Sequence, residues 1–153
     1  MRDISKFSAF MEGYVTFLEE MAAGESEKYA AMISYDAKRM DKVVSRQQAM
    51  NMRLTQLEEQ REREQAEAGL EGLTFQQILD ELDREEQGPL PELFPRFFKA
   101  VEEIKYFNGK SIAFAKEGLH QLGMNGEPAA PYTQTGKARP ESVRGASLFE
   151  AKI

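Results

Sequence analysis

The sequence predicts an all-α protein: an antiparallel bundle of three long helices plus one short helix, followed by a mobile C-terminal tail. Three observations carry this. Apolar residues recur in alternating steps of three and four through two segments before residue 60 and one after residue 90, which is the period of a single helix face. The stretches between these segments hold Gly69, Gly72, Gly88, Pro89 and Pro91, residues that punctuate helices. Beyond Met124 the period disappears while Pro128, Pro131 and Pro140 enter.

The first helix is expected over about 3–33. Its face runs Ile4, Phe7, Met11, Tyr14, Leu18, Met21 and continues through Ala22, Tyr29 and Ile33, drifting as a 3.6-residue period does. Gly24 falls inside it, at a cost of about 1 kcal/mol relative to Ala, and marks the place for a local bend. A second helix is expected over about 36–67, with Asp36 as its N-cap and Met40, Val43, Gln47, Met50, Leu54 and Leu57 on its face. Each of these helices is about 45 Å long. The link between them is so short that they must lie antiparallel.

Thr74-Phe75-Gln76-Gln77 has the form of a capping box, in which the cap hydroxyl and the third side chain satisfy each other's backbone N–H groups. It predicts a short helix over 74–86 with Phe75, Ile78, Leu79 and Leu82 on one side. The last long helix is expected over 91–122, with Pro91 in its first turn, where a missing N–H is no loss. Its face carries Phe94, Phe97, Val101, Ile104, Asn108, Ile112, Ala115, Leu119 and Leu122, and Gly123 stops it. Residues 125–153 have only Tyr132, Val143, Leu148, Phe149 and Ile153 as apolar anchors. So few cannot offset the entropy of ordering a chain, and the segment is expected to be a flexible tail.

Composition narrows the functions. Lys and Arg total 20 against 26 Asp and Glu, a net charge of -6, which gives no general reason to expect nucleic acid as partner. The absence of cysteine removes disulfides, thiolate zinc sites and thiol catalysis. No segment reaches the roughly 18 apolar residues of a membrane helix, and the N-terminus has no apolar stretch of signal-peptide length. A cytoplasmic protein without membrane insertion is expected.

The candidate chemistries are thin. Glu117-x-x-His120 imitates half of a di-iron carboxylate site, yet His120 is the only histidine and such a site needs a second unit. Glu58, Glu59 and Glu62 share a run with Arg61 and Arg63, read as a solvated helix face laced with i,i+4 pairs. Lys38, Arg39, Lys42 and Arg46 form a basic stripe without interleaved aromatics. Gly136-Lys137 lacks the upstream glycine and the following helix of a phosphate loop. Nothing pairs a nucleophile with a base, so neither enzyme activity nor a cofactor or metal is expected.

Two features stand outside plain core filling. Met11, Met21, Met32, Met40, Met50 and Met52 form a series, and flexible Met side chains suit surfaces that adapt to a partner helix. Asn108 interrupts the apolar seam of the last helix, where an Asn fixes register or pairs with a polar group.

Specific order then adds a resemblance. Gln47-Gln48-Ala49-Met50 runs through Arg53-Leu54, Leu57-Glu58 and Arg61 into Gly69-Leu70-Glu71-Gly72-Leu73-Thr74-Phe75. Asn108 lies near the middle of the last helix, and the tail carries Tyr132-x-x-x-Gly136 and ends Leu148-Phe149-x-x-Lys152-Ile153. Over almost its whole length the chain resembles the FlgN family of flagellar export chaperones. It departs in having Pro131 where a Thr often precedes the tail Tyr. The resemblance implies a non-enzymatic chaperone that binds the C-terminal segments of hook-associated (hook–filament junction) proteins and delivers them to the cytoplasmic domain of the flagellar type III export-gate protein. Phe107, Asn108, Ala115 and Leu119 are the expected client-binding residues, chosen for the off-pattern Asn and the helix's place beside the tail. The family's tail tyrosine implies gate docking through Tyr132, with Gly136 allowing a turn after it. The alternatives are a homo-oligomeric coiled-coil scaffold and an export chaperone for the filament-cap protein.

Overall fold

The computed structural model describes residues 2–123; the expected tail, with Tyr132 and Gly136, lies outside the described residues. The described chain is helical, in the order α1 (Ser5–Ser34), α2 (Ala37–Glu67), α3 (Phe75–Glu81) and α4 (Leu90–Gln121). Three long helices and a short one are therefore present as expected.

Cross-helix contacts give the topology. Lys6 meets Glu67, Tyr14 meets Glu58 and Glu25 meets Gln47, so α2 runs antiparallel to α1. Arg2 meets Glu86, Tyr14 packs on Phe97 and Tyr29 on Phe114, so α4 runs parallel to α1. We call the end with Ile4, Glu67 and Leu90 the base, and the end with the α1–α2 turn the tip. Helix α1 lies between the other two. The α2 and α4 backbones nowhere approach within 8 Å, Cα to Cα, and a seam runs between them over α1.

The local signals act as read. Asp36 accepts the Arg39 N–H at 3.0 Å, and Thr74 and Gln77 complete the capping box. Pro91 sits in the first turn of α4, and α4 continues through Pro95. Tyr35 closes the α1–α2 turn in the left-handed region, φ 56°, which a side chain adopts with strain. Its ring is 82% exposed yet lies 5.9 Å from that of Phe114.

One expectation is sharpened and one needs correction. α1 passes through Gly24 as a single unbroken helix. The reason for glycine is close approach: a Cβ there would collide with the Gln47 amide. Helix α3 also stops at Glu81 rather than near 86. Leu82 turns extended (φ -91°, ψ 138°), the Glu86 carboxylate accepts the N–H groups of Asp83 and Arg2, and the Gln87 amide donates to the Leu79 and Leu82 carbonyls. Side chains satisfying backbone groups in this way compete with another helical turn.

The core is concentrated at the base. Its contiguous apolar cluster takes α1 from Ile4 to Ala22, α2 from Leu54 to Leu57, the α2–α4 connection at Leu70, Phe75, Ile78 and Leu82, and α4 from Leu90 to Ile104. Phe75 is the wedge. It stacks on Phe94 at 4.2 Å between centroids and meets Phe97 edge-on at 4.9 Å, while the Arg61 guanidinium of α2 lies 5.4 Å from its centroid. The connection thus fills the base of the seam with the chain's own side chains.

Candidate functional site

Toward the tip the three long helices continue for several turns beyond that apolar cluster, and the seam there has no α3 in it. Helical spacing tells which residues face it. On α4, Phe94 and Phe98 touch Phe75, and the same flank recurs at Val101, Lys105, Asn108 and Ile112, at steps of three and four. On α2, Glu58 faces Tyr14 over the seam floor, and seven residues back the same flank holds Asn51, then Val44. Glu25 of α1 is fully buried between these walls.

The base of the seam has its own polar layer. The Tyr14 hydroxyl donates to Glu58 at 2.9 Å. Glu58 also pairs with Arg61, which donates to the Gln65 carbonyl oxygen at 2.6 Å. Gln65 in turn donates to the Leu70 and Leu73 carbonyls at 2.8 Å each. Burial, with the Glu58 carboxylate second, pushes the Tyr14 phenol well above its ordinary range. These residues correct the sequence reading. Glu59, Glu62 and Arg63 are exposed as expected, whereas Glu58 and Arg61 are buried. Burial is tolerated because each charge has the other and a neutral partner as well.

The tip of the seam is different. The Gln47 amide donates to Glu25 at 3.2 Å and to the Met21 carbonyl at 3.4 Å, resting on Gly24. The second Glu25 oxygen lies 2.8 Å from Lys28 Nζ. On the walls, Asn51 Oδ1, Asn108 Oδ1 and Ser111 Oγ are buried with no hydrogen-bond partner among the described residues. Around them the apolar side chains are incompletely covered. Met32, Met40, Ile112, Ala115 and Leu119 are half-buried, whereas Met52 and Tyr106, 62% and 58% exposed, stand on the outward sides of α2 and α4. The methionine series therefore divides, with Met11 and Met21 filling the core, Met50 packed against it, Met52 exposed, and Met32 and Met40 lying toward the tip.

Three of the four expected client-binding residues share the inward side of α4. Asn108 is buried on it, and Ala115 and Leu119 follow at seven and eleven residues, half-buried. Phe107 is not with them. It lies seven residues before Phe114, on the flank that meets Tyr29 and Tyr35, turned from the seam. Sequence reasoning missed Glu25, Asn51 and Ser111; the available signal was polar residues recurring at helical spacing on the α2 face, Gln47, Asn51, Glu58, Arg61 and Gln65. His120 is exposed in the last turn of α4. Among the described residues no group of His, Asp and Glu is placed to hold a metal ion, and no helix is long and apolar enough to cross a membrane. No protein-family model, curated protein or solved structure matches the chain.

Proposed function

We propose that this chain is a cytoplasmic export chaperone that holds the C-terminal segments of hook-associated proteins and hands them to the flagellar type III export gate. The observation that supports the reading is the seam, plugged at the base by the chain's own Phe75 and left with half-covered apolar residues toward the tip. A helical protein with such a seam can bury the apolar stripe of an amphipathic segment that would otherwise self-associate, by the helix-in-groove mode. The resemblance to FlgN chaperones supplies the identity of the clients and of the gate. Asn108, Ala115 and Leu119 are the proposed client contacts, and Tyr132 with Gly136 the proposed gate contact.

Titration calorimetry of a junction-protein C-terminal peptide tests this. Ala115→Glu and Leu119→Glu should each weaken binding at least tenfold, because a carboxylate would enter an apolar contact unpaired. Unchanged affinity in both variants would remove α4 from the client site. A pull-down of the gate's cytoplasmic domain by the loaded chaperone should weaken for Tyr132→Ala, and equal recovery would remove Tyr132 from gate docking.

A further inference from the structure

The base of the seam shows what chemistry this groove accepts from a guest. The connection lays apolar Phe75, Ile78 and Leu82 into the core cluster, and the polar wall group Gln65 is met by backbone carbonyls of the same connection. The tip continues the seam on the same flanks of α2 and α4, but oxygens there have no hydrogen-bond partner among the described residues. Asn51 Oδ1 stands on α2 and Asn108 Oδ1 on α4, with Ser111 Oγ beside it on the α1-facing stripe of Phe97 and Ile104, each residue less than a tenth exposed.

We infer that the tip of the seam takes an amphipathic helix of a partner protein whose apolar stripe is interrupted by uncharged hydrogen-bonding side chains, above all Asn or Gln. This rests on the client-holding reading above and adds the chemistry of the client.

The spacing comes from the register of the bundle. Tyr14 opposite Glu58 and Glu25 opposite Gln47 set Asn51 level with Met21. Tyr14 beside Phe97 and Tyr29 beside Phe114 set Asn108 and Ser111 level with the stretch from Gly24 to Tyr29. The three oxygens therefore fall within about 12 Å along the axis, at 1.5 Å per residue, so two polar positions one to two turns apart on the guest reach both walls. These oxygens are already closed to solvent, so an entirely apolar guest helix would leave them without a donor, whereas a guest amide that meets one gains a hydrogen bond water does not supply. A basic guest side chain is disfavoured for another reason: Glu25, the buried carboxylate at this level, already pairs with Lys28, so a further cation would enter without a counter-ion. An amide fits both kinds of wall group, since it carries donor and acceptor and can meet an Asn in either orientation.

The test uses the full-length chain and two fluorescein-labelled helical peptides of equal length. Both carry a leucine stripe; one has Gln at two central stripe positions seven residues apart. Anisotropy titration should show the Gln peptide binding about tenfold tighter than the all-Leu peptide, against their order of hydrophobicity. Asn108→Leu should abolish or reverse that preference, and Asn51→Leu serves the same purpose if the first variant loses its helicity. Equal or tighter binding of the all-Leu peptide by the wild type would overturn the inference while leaving the client groove standing. Binding of neither probe, with the junction-protein peptide still bound, would do the same. If the junction-protein peptide fails as well, the client reading falls and takes this inference with it. Light scattering covers the remaining occupant. A dimer that saturating Gln peptide leaves intact and that Asn108→Leu dissociates would give the seam to a second copy and overturn the proposal.

Discussion

At the base of the seam, Glu58, Arg61 and Gln65 are buried and joined to Tyr14, to each other and to the carbonyls of the α2–α4 connection. Two to three turns nearer the tip, Gln47 and Asn51 continue the same stripe of α2, yet among the described residues the side-chain carbonyl oxygen of each lacks a hydrogen-bond partner, as do Asn108 Oδ1 and Ser111 Oγ on α4. Both layers are polar and both are buried. What separates them is closure: the first is completed by the chain itself, whereas in the second several oxygens have no partner among the described residues. A closed polar layer acts on stability and register, because removing any member strands the others. In an open one, the members without a partner contribute little to the free chain.

Breaking the closed layer should have the largest effect. Arg61→Ala leaves Glu58 buried and short of its ion pair, and removes the cation from the Phe75 face. A loss of about 3–5 kcal/mol is expected in urea unfolding, and a loss under 1 kcal/mol would show that the layer hydrates freely. Gly24→Ala comes next. The added methyl displaces the Gln47 amide from Met21 and Glu25, so the variant should lose about 1 kcal/mol net even though Ala is the better helix former. A gain in stability would mean that Gln47 re-seats without loss.

Alkaline pH sharpens the comparison from another side. The Tyr14 phenol is raised in the folded protein above its ordinary value of 10.0, by burial first and by Glu58 second. The folded state then holds that proton more tightly than the unfolded chain. Its contribution is intact below pH 10 and is lost as pH rises above it, by about 1.4 kcal/mol per pH unit. Thermal melts between pH 9 and 11 on the wild type and Tyr14→Phe should diverge in that window, the wild type falling faster; parallel curves would detach Tyr14 from the layer. The smallest effect belongs to the open layer. Asn108→Leu should leave the free chain unchanged or raise its stability by about 1 kcal/mol, because an unmet polar group gives way to an apolar one. A loss above 2 kcal/mol would mean that Asn108 is tied into the bundle after all.

The long helices were legible because their information is local. The steps of three and four in α1, α2 and α4, the Asp36 cap and the Thr74–Gln77 box all act within a few residues of themselves. The end of α3 was not, since one of the groups that draws Glu86 into a turn is the backbone of Arg2, far away in sequence. The site shows the same division. Asn108 could be picked out because it interrupts an apolar stripe. Glu58 and Arg61 were read as solvated because they sit in a charged run, and only the fold brings Tyr14 and Phe75 over them. Phe107 looked inward by neighbourhood, but the contacts of Phe94 and Phe98 with Phe75 and of Phe114 with α1 show that its flank turns from the seam.

The parallel run of α4 alongside α1 also orders events in time during synthesis. α1 and α2 meet across a two-residue turn, whereas α4 reaches α1 only after the whole of 35–89 has been made. Loop-closure entropy alone separates the two encounters by about 3 kcal/mol. As the N-terminal part of a chain emerges first, an α1–α2 hairpin leaves the ribosome with the α4-facing side of α1 bare. During that interval the apolar stripe of α1 is exposed, and any amphipathic helix nearby competes with α4 for it. A bundle completed by its last helix thus passes through a stage in which its first helix offers an apolar face to its own unfinished chain.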